Sequence, residues 1–333
     1  MTKRHFIPTL AALALMFMSY TGVGNEKGAF NFAGLFAAPA APVTPATADV
    51  QQTTAATVAP AGDVVDERIF GRLRNLKDSE LTAELRDKLN ANPVWRKLLR
   101  NKKMSVGIVD LSDRQNVRYA SLNGQHMMYA ASLPKIAVLA AAHDAIERGE
   151  LRETAEVKRD MRLMIAKSNN AATTRMIDRV GFDNIERTMT DPTLKLYDPE
   201  YGGGLWVGKR YAAGGKRHPD PMKGISHAAT AEQICRYFYL LANDALVSEE
   251  ASQKMRTYLV DPELHHKFVS VLDRVAPRAK VYRKSGSWST FHADVAMVEG
   301  PERNYIITAL IDDPKGEQIM RELGVVLDNL LTD

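Results

Sequence analysis

The chain has 333 residues, enough for one large domain or two ordinary ones with a sizeable core. It is 45% hydrophobic and 25% charged, an ordinary globular balance, and its formal charge of +4 is too small to argue for nucleic acid. Cys235 is the one cysteine, which excludes an intramolecular disulfide.

At the N-terminus, Lys3, Arg4 and His5 precede an apolar run from Phe6 to Met18 that Pro8 interrupts, and Gly22-Val23-Gly24 offers small residues for cleavage. Residues 1–24 read as an export signal. The run is short for a membrane span, so cleavage is the expectation, with an uncleaved signal anchor as the rival. Residues 37–62 are almost all Ala, Pro, Thr, Val and Gln with Asp49 the single charge, so they bury little apolar surface. Residues 25–65 are therefore expected to be a disordered linker.

Folding is expected from about Asp66. Leu76 to Asn101 suggests one or two surface helices. Met104 to Leu111 and Val117 to Leu122 read as a hairpin around Asp113-Arg114-Gln115. Ser132 then opens a predicted helix to about Glu150 whose first turns are almost wholly apolar, the pattern of a central buried helix. Val157, Met161, Met164 and Ile165 make one helical stripe, and Met176, Ile177 and Val180 another, closed by Gly181. Tyr201 to Gly215 reads as a long loop. Thr230 and Gln233 form a capping-box pattern before the helix of Ile234, Cys235 and Phe238, where Cys235 reads as a buried small hydrophobe. Ala279 to Arg283, Ala293 to Val298 and Asn304 to Ile311 are strand-like, and Ile319 to Leu330 is an amphipathic final helix. Strands at both ends with helices between predict an α/β (α+β) domain. An antiparallel sheet would form from 66–132 and 275–333, with a helical part over 133–274.

Three short motifs lie on these elements. Ser132-Leu133-Pro134-Lys135 puts a hydroxyl and an amine three residues apart, on one face if both are helical. A dry helix core lowers a lysine's pKa, which lets it take a proton from serine. Ser168-Asn169-Asn170 follows the first methionine stripe, and Lys284-Ser285-Gly286 ends a strand-like run. Taken singly, each has a plain structural reading. Ser132 could be a helix N-cap, Ser168-Asn169-Asn170 a helix-ending turn and Lys284-Ser285-Gly286 a strand end.

In this order and context the motifs resemble those of the penicillin-recognising serine hydrolases, the class A β-lactamases and the D,D-peptidases of the same fold, over roughly residues 66–333. The resemblance implies Ser132 as nucleophile, Lys135 as general base and Ser168 as proton relay. Lys284 would disfavour protonation of Lys135, and Asn170, Ser285 and Gly286 would bind substrate. The N–H groups of Ser132 and Ser287 would form an oxyanion hole. The sequence departs from the class A pattern in three ways. The two motif serines are only 36 residues apart, Asn169 stands where Asp is usual, and no clear deacylating glutamate follows the second motif. Glu200 in Leu196-Tyr197-Asp198-Pro199-Glu200 is the nearest match, against an ordinary loop carboxylate. Without that base deacylation would be slow.

His265-His266 with Glu263 fits no familiar zinc spacing, and His292 follows the third motif and would face either the cleft or the strand surface. The expectation is an exported (periplasmic or extracellular) monomeric hydrolase with no cofactor or metal, acting on a β-lactam. The rivals are a D,D-peptidase acting on peptidoglycan stems and a non-catalytic cell-wall binding or sensing module.

Overall fold

The computed structural model describes residues 66–332. The expected signal and linker, residues 1–65, lie outside the described residues, as does Asp333. From Asp66 the chain forms α1 (Glu67–Phe70), α2 (Ser79–Ala91) and α3 (Pro93–Arg100), then β1 (Met104–Asp110), β2 (Arg118–Leu122) and the short β3 (Met128–Tyr129). Next come α4 (Lys135–Glu147), α5 (Ala155–Ala166), α6 (Asn170–Val180) and α7 (Phe182–Thr190). Four very short strands follow: β4 (Tyr197–Asp198), β5 (Gly203–Gly204), β6 (Trp206–Val207) and β7 (His227–Ala229). Then α8 (Ala231–Ala242), α9 (Glu249–Leu259) and α10 (Phe268–Val275) lead to β8 (Lys280–Trp288), β9 (Phe291–Gly300) and β10 (Arg303–Asp312), and α11 (Gly316–Thr332) comes last.

Five strands make one antiparallel sheet in the order β2-β1-β10-β9-β8, so the early hairpin pairs with the late strands. Ile108 lies opposite Ile307, and Val109 opposite Ile306. Alternation along β10 decides the layers. Tyr305, Ile307, Ala309 and Ile311 join one core with α2, α3, α10 and α11. Ile306 and Leu310 join the other, with α4 and α8. A sheet apolar on both faces needs helices on both, which makes a three-layer α/β arrangement.

The two methionine stripes are buried as their spacing predicts, and Gly181 ends α6 at φ +83°. Cys235 is wholly buried on α8, where Thr230 Oγ1 accepts from the Gln233 N–H at 3.2 Å. Three readings need correction. The central helix begins at Lys135, not Ser132, because Pro134, which lacks an N–H, takes the cap position. The strand-like run of Ala279 to Arg283 extends through Trp288, since cross-strand pairing with β9 carries Lys284-Ser285-Gly286 into mid-strand. The stretch 201–215 is not all loop, because β5 and β6 lie within it. Residues 76–101 form two surface helices, α2 and α3, as expected, with Leu81, Leu85, Leu89, Trp95 and Leu98 turned into the core.

Candidate active site

The first motif occupies a tight turn. Leu133, Lys135 and Ile136 donate backbone hydrogen bonds three residues back, to Ala130, Ser132 and Leu133, a 3₁₀ pattern that leads into α4. Side chains at i and i+3 eclipse in such a turn, so Ser132 and Lys135 still share a face. Ala131 is held at φ +51°, in the left-handed region, immediately before Ser132.

Lys135 is fully buried. Its Nζ donates to Ser168 O (2.6 Å), Ser168 Oγ (3.3 Å) and Asn170 Oδ1 (2.8 Å). These three acceptors match the three N–H bonds of an ammonium. Burial nonetheless pulls its pKa down to about 7, so amine and ammonium coexist near neutrality. Ser168 sits at φ +54° just before α6, whose cap is Asn169, with its Oδ1 accepting from the Ala172 N–H. The second motif therefore starts a helix, and it turns both Ser168 oxygens toward Lys135.

Lys284, mid-way along β8, donates to Ser168 Oγ at 3.0 Å and to Ser285 O at 2.8 Å. Its burial, and next the charge of Lys135, hold its pKa well below the lysine range. Ser168 Oγ thus accepts from two lysines, which leaves its own O–H to point elsewhere. Gly286 packs against the Ser132 turn: a Cβ there would lie 2.7 Å from both Ser132 N and Leu133 N and would overlap Ala130 O. Ser285 is buried and Ser287 is exposed beyond it.

Of the four side chains expected to converge, Lys135, Ser168 and Lys284 are hydrogen-bonded together. Ser132 is half-buried and its Oγ makes no hydrogen bond to them, while its backbone N packs against Gly286. Asn170 lines a cleft of about 500 Å³ with Tyr129, Tyr211, His227 and Trp288. His265 bonds Asp273 (2.8 Å), and Glu263 pairs with Lys167 (3.5 Å).

The model of the β-lactamase enzyme family matches residues 85–161 and 154–329, which is most of the chain and includes all three motifs. The chain belongs to this family. Among solved structures, a β-lactamase from Sphaerobacter thermophilus is 19% identical, with a TM-score of 0.55 over 67% of this chain and 89% of that one. A β-lactamase from Xanthomonas campestris is 14% identical, with a TM-score of 0.59 over 75% and 98%. A variant of PBP-A, solved as an acyl-enzyme with penicillin G, is 16% identical with a TM-score of 0.56 over 76% and 96%. No curated protein matches the chain significantly. At these identities the structural likeness carries the fold alone.

Within this β-lactamase-family fold, Glu200 stands apart from the cluster. Its side chain is 73% exposed and pairs with Arg72 at 3.3 Å. Neither Lys135 nor Lys284 has a carboxylate within ion-pair range among the described residues. His292 turns away from the cleft, because its ring packs against Gly316 at the start of α11. Two residues lay beyond sequence reasoning. Tyr211 sets its ring 4.5 Å from Lys135 Nζ. Lys267, fully buried with its pKa lowered to about 8, donates to Gly286 O (2.6 Å), Ser287 Oγ (2.8 Å) and Ala293 O (3.1 Å), bracing β8 from behind. Neither sits in a motif. The one signal for Lys267 is a charged residue beside apolar Phe268 and Val269, and Tyr211 has none.

Proposed function

We propose that this chain is a serine hydrolase that opens β-lactam amides through an acyl-Ser132 intermediate and releases the product slowly. The observation that carries this reading is Ser168 Oγ bridging two buried lysines, one of them three residues from Ser132. Neutral Lys135 takes the Ser132 proton as the oxygen attacks the amide carbonyl. The N–H groups of Ser132 and Ser287 receive the developing oxyanion. Because Ser168 Oγ already accepts from both lysines, its O–H is directed to the departing nitrogen and Lys135 or Lys284 restores that proton. Asn170, Ser285 and the edge strand at Gly286 hold the substrate, which can add to β8 as an extended strand.

Slow release is supported by the absence of a carboxylate near Lys135 among the described residues, the same observation that favours the second reading, a D,D-peptidase or penicillin-binding protein acting on peptidoglycan stems. Export is part of the proposal, carried by Lys3, Arg4 and the Phe6–Met18 run, as is a monomeric state. The test is intact-protein mass after addition of benzylpenicillin, with the adduct mapped by proteolysis. The expected result is a stoichiometric gain on the peptide bearing Ser132 that decays slowly. Rapid decay with steady turnover supports an efficient β-lactamase, and no gain at all supports a binding or sensing module. Since Glu200 is solvated and paired with Arg72, Glu200→Gln is expected to leave the rate of adduct decay within about twofold of wild type. A drop of about a hundredfold would restore it as the deacylating base.

A further inference from the structure

Tyr211 touches the catalytic lysine from outside the three motifs. Its ring covers Lys135 Nζ at 4.5 Å, stacks obliquely on His227 at 4.2 Å, and its hydroxyl donates to Ala131 O at 3.0 Å. The surrounding segment is braced. Arg210 pairs with Asp178 at 2.6 Å, and Gly208 is bonded on both sides, to Ser226 O and from His218 N–H, each at 2.7 Å. His218 itself stacks flat between Phe182 and Trp206. The ring is therefore held as a wall between the cleft, which it lines, and Lys135, which has no exposed surface.

Release of an acyl group from Ser132 needs a water. It adds to the ester carbonyl, the bond to Ser132 Oγ breaks, the water's proton passes to that oxygen, and the free acid leaves with Ser132 restored. The available base is the Lys135 amine. An aromatic ring against that amine would stand in the path of such a water, and among the described residues no carboxylate lies within ion-pair range of Lys135 to orient one.

We propose that Tyr211 is a positioning residue that excludes water from the Lys135 side of acylated Ser132 and so sets the lifetime of the acyl-enzyme. This rests on the acylation reading above. The charged and titratable groups facing Lys135 are Lys284 on β8, His227 on β7 and Tyr211 itself, with no acid among them. Opening the wall rehydrates the ammonium, which favours the charged form of Lys135.

The experiment follows the mass of the benzylpenicillin adduct with time across a pH series, for wild type, Tyr211→Phe, Tyr211→Leu and Tyr211→Ala. Tyr211→Ala is expected to shorten the adduct lifetime about tenfold or more and to move the pH midpoint of acylation upward. Tyr211→Phe, which keeps the ring, is expected to match wild type. Tyr211→Leu, which leaves part of the wall open, is expected to fall between, and it decides the matter if Tyr211→Ala does not melt cooperatively. An unchanged lifetime in the alanine or leucine protein, or a phenylalanine protein as short-lived as either, overturns the inference alone. Absence of any adduct on wild type overturns the acylation reading and this inference with it.

Discussion

Lys135→Met is expected to slow acylation of Ser132 by about 10²–10⁴, the usual contribution of a positioned general base. The substitution keeps length and bulk in a pocket that is already fully buried, so the loss reports the amine and not a cavity. Wild-type acylation is expected to rise with pH through about 7, where burial has moved the lysine's pKa, and the variant's residual rate is expected to lack that step. Stability supplies an independent sign. A lysine whose pKa is lower folded than unfolded makes the unfolded chain bind the extra proton between about pH 7 and the ordinary lysine value of 10.5. Wild-type stability should therefore fall relative to Lys135→Met as pH drops from about 10 to 7, and the difference should be constant below. Rates come from intact mass or a chromogenic cephalosporin, and stability from denaturant titration at several pH values. A variant that acylates within about threefold of wild type would remove Lys135 from the mechanism.

Gly286→Ala should cost both activity and stability. The new methyl meets backbone, not flexible side chain: Ser132 N and Leu133 N at 2.7 Å, and Ala130 O closer still. Strand and turn must part, and the part that moves is the turn carrying Ser132. A misplacement of about 1 Å in a reacting group costs roughly 10² in rate, and overpacking costs about 1–3 kcal/mol. At about 2–4 °C per kcal/mol for a domain of this size, the melting temperature should fall measurably. Calorimetry and the adduct time course read the two effects on the same sample. Wild-type acylation in the alanine protein would mean that β8 and the Ser132 turn are not in register as described.

Both predictions draw on features legible to different degrees in the amino-acid order. The sheet was readable because β1, β9 and β10 carry apolar runs that include Val or Ile, and the helices because Met161, Met164, Met176 and Ile177 recur at helical spacing. Lys135 announced itself as an amine on a stretch with almost no polar face, and Ser168 and Lys284 by their order along the chain. Lys284-Ser285-Gly286 read as a strand end because Gly and Ser usually mark one, whereas pairing of Gly286 with Ala293 keeps the strand going. Glu200 had the expected residue type at roughly the expected distance, but Arg72, far earlier in the chain, pairs with it at the surface.

The local order of residues thus determined the elements, the buried lysine and the three motifs, because helix period, strand alternation and Pro134's missing N–H act over a few residues. Only the tertiary structure decided that Ser168 Oγ would sit between two lysines 149 positions apart, that Tyr211 would roof one of them, and that Lys267 would brace β8. Those contacts depend on how a 3₁₀ turn, a helix start and an edge strand dock. Side chains brought together by packing leave no periodic trace in the chain that encodes them.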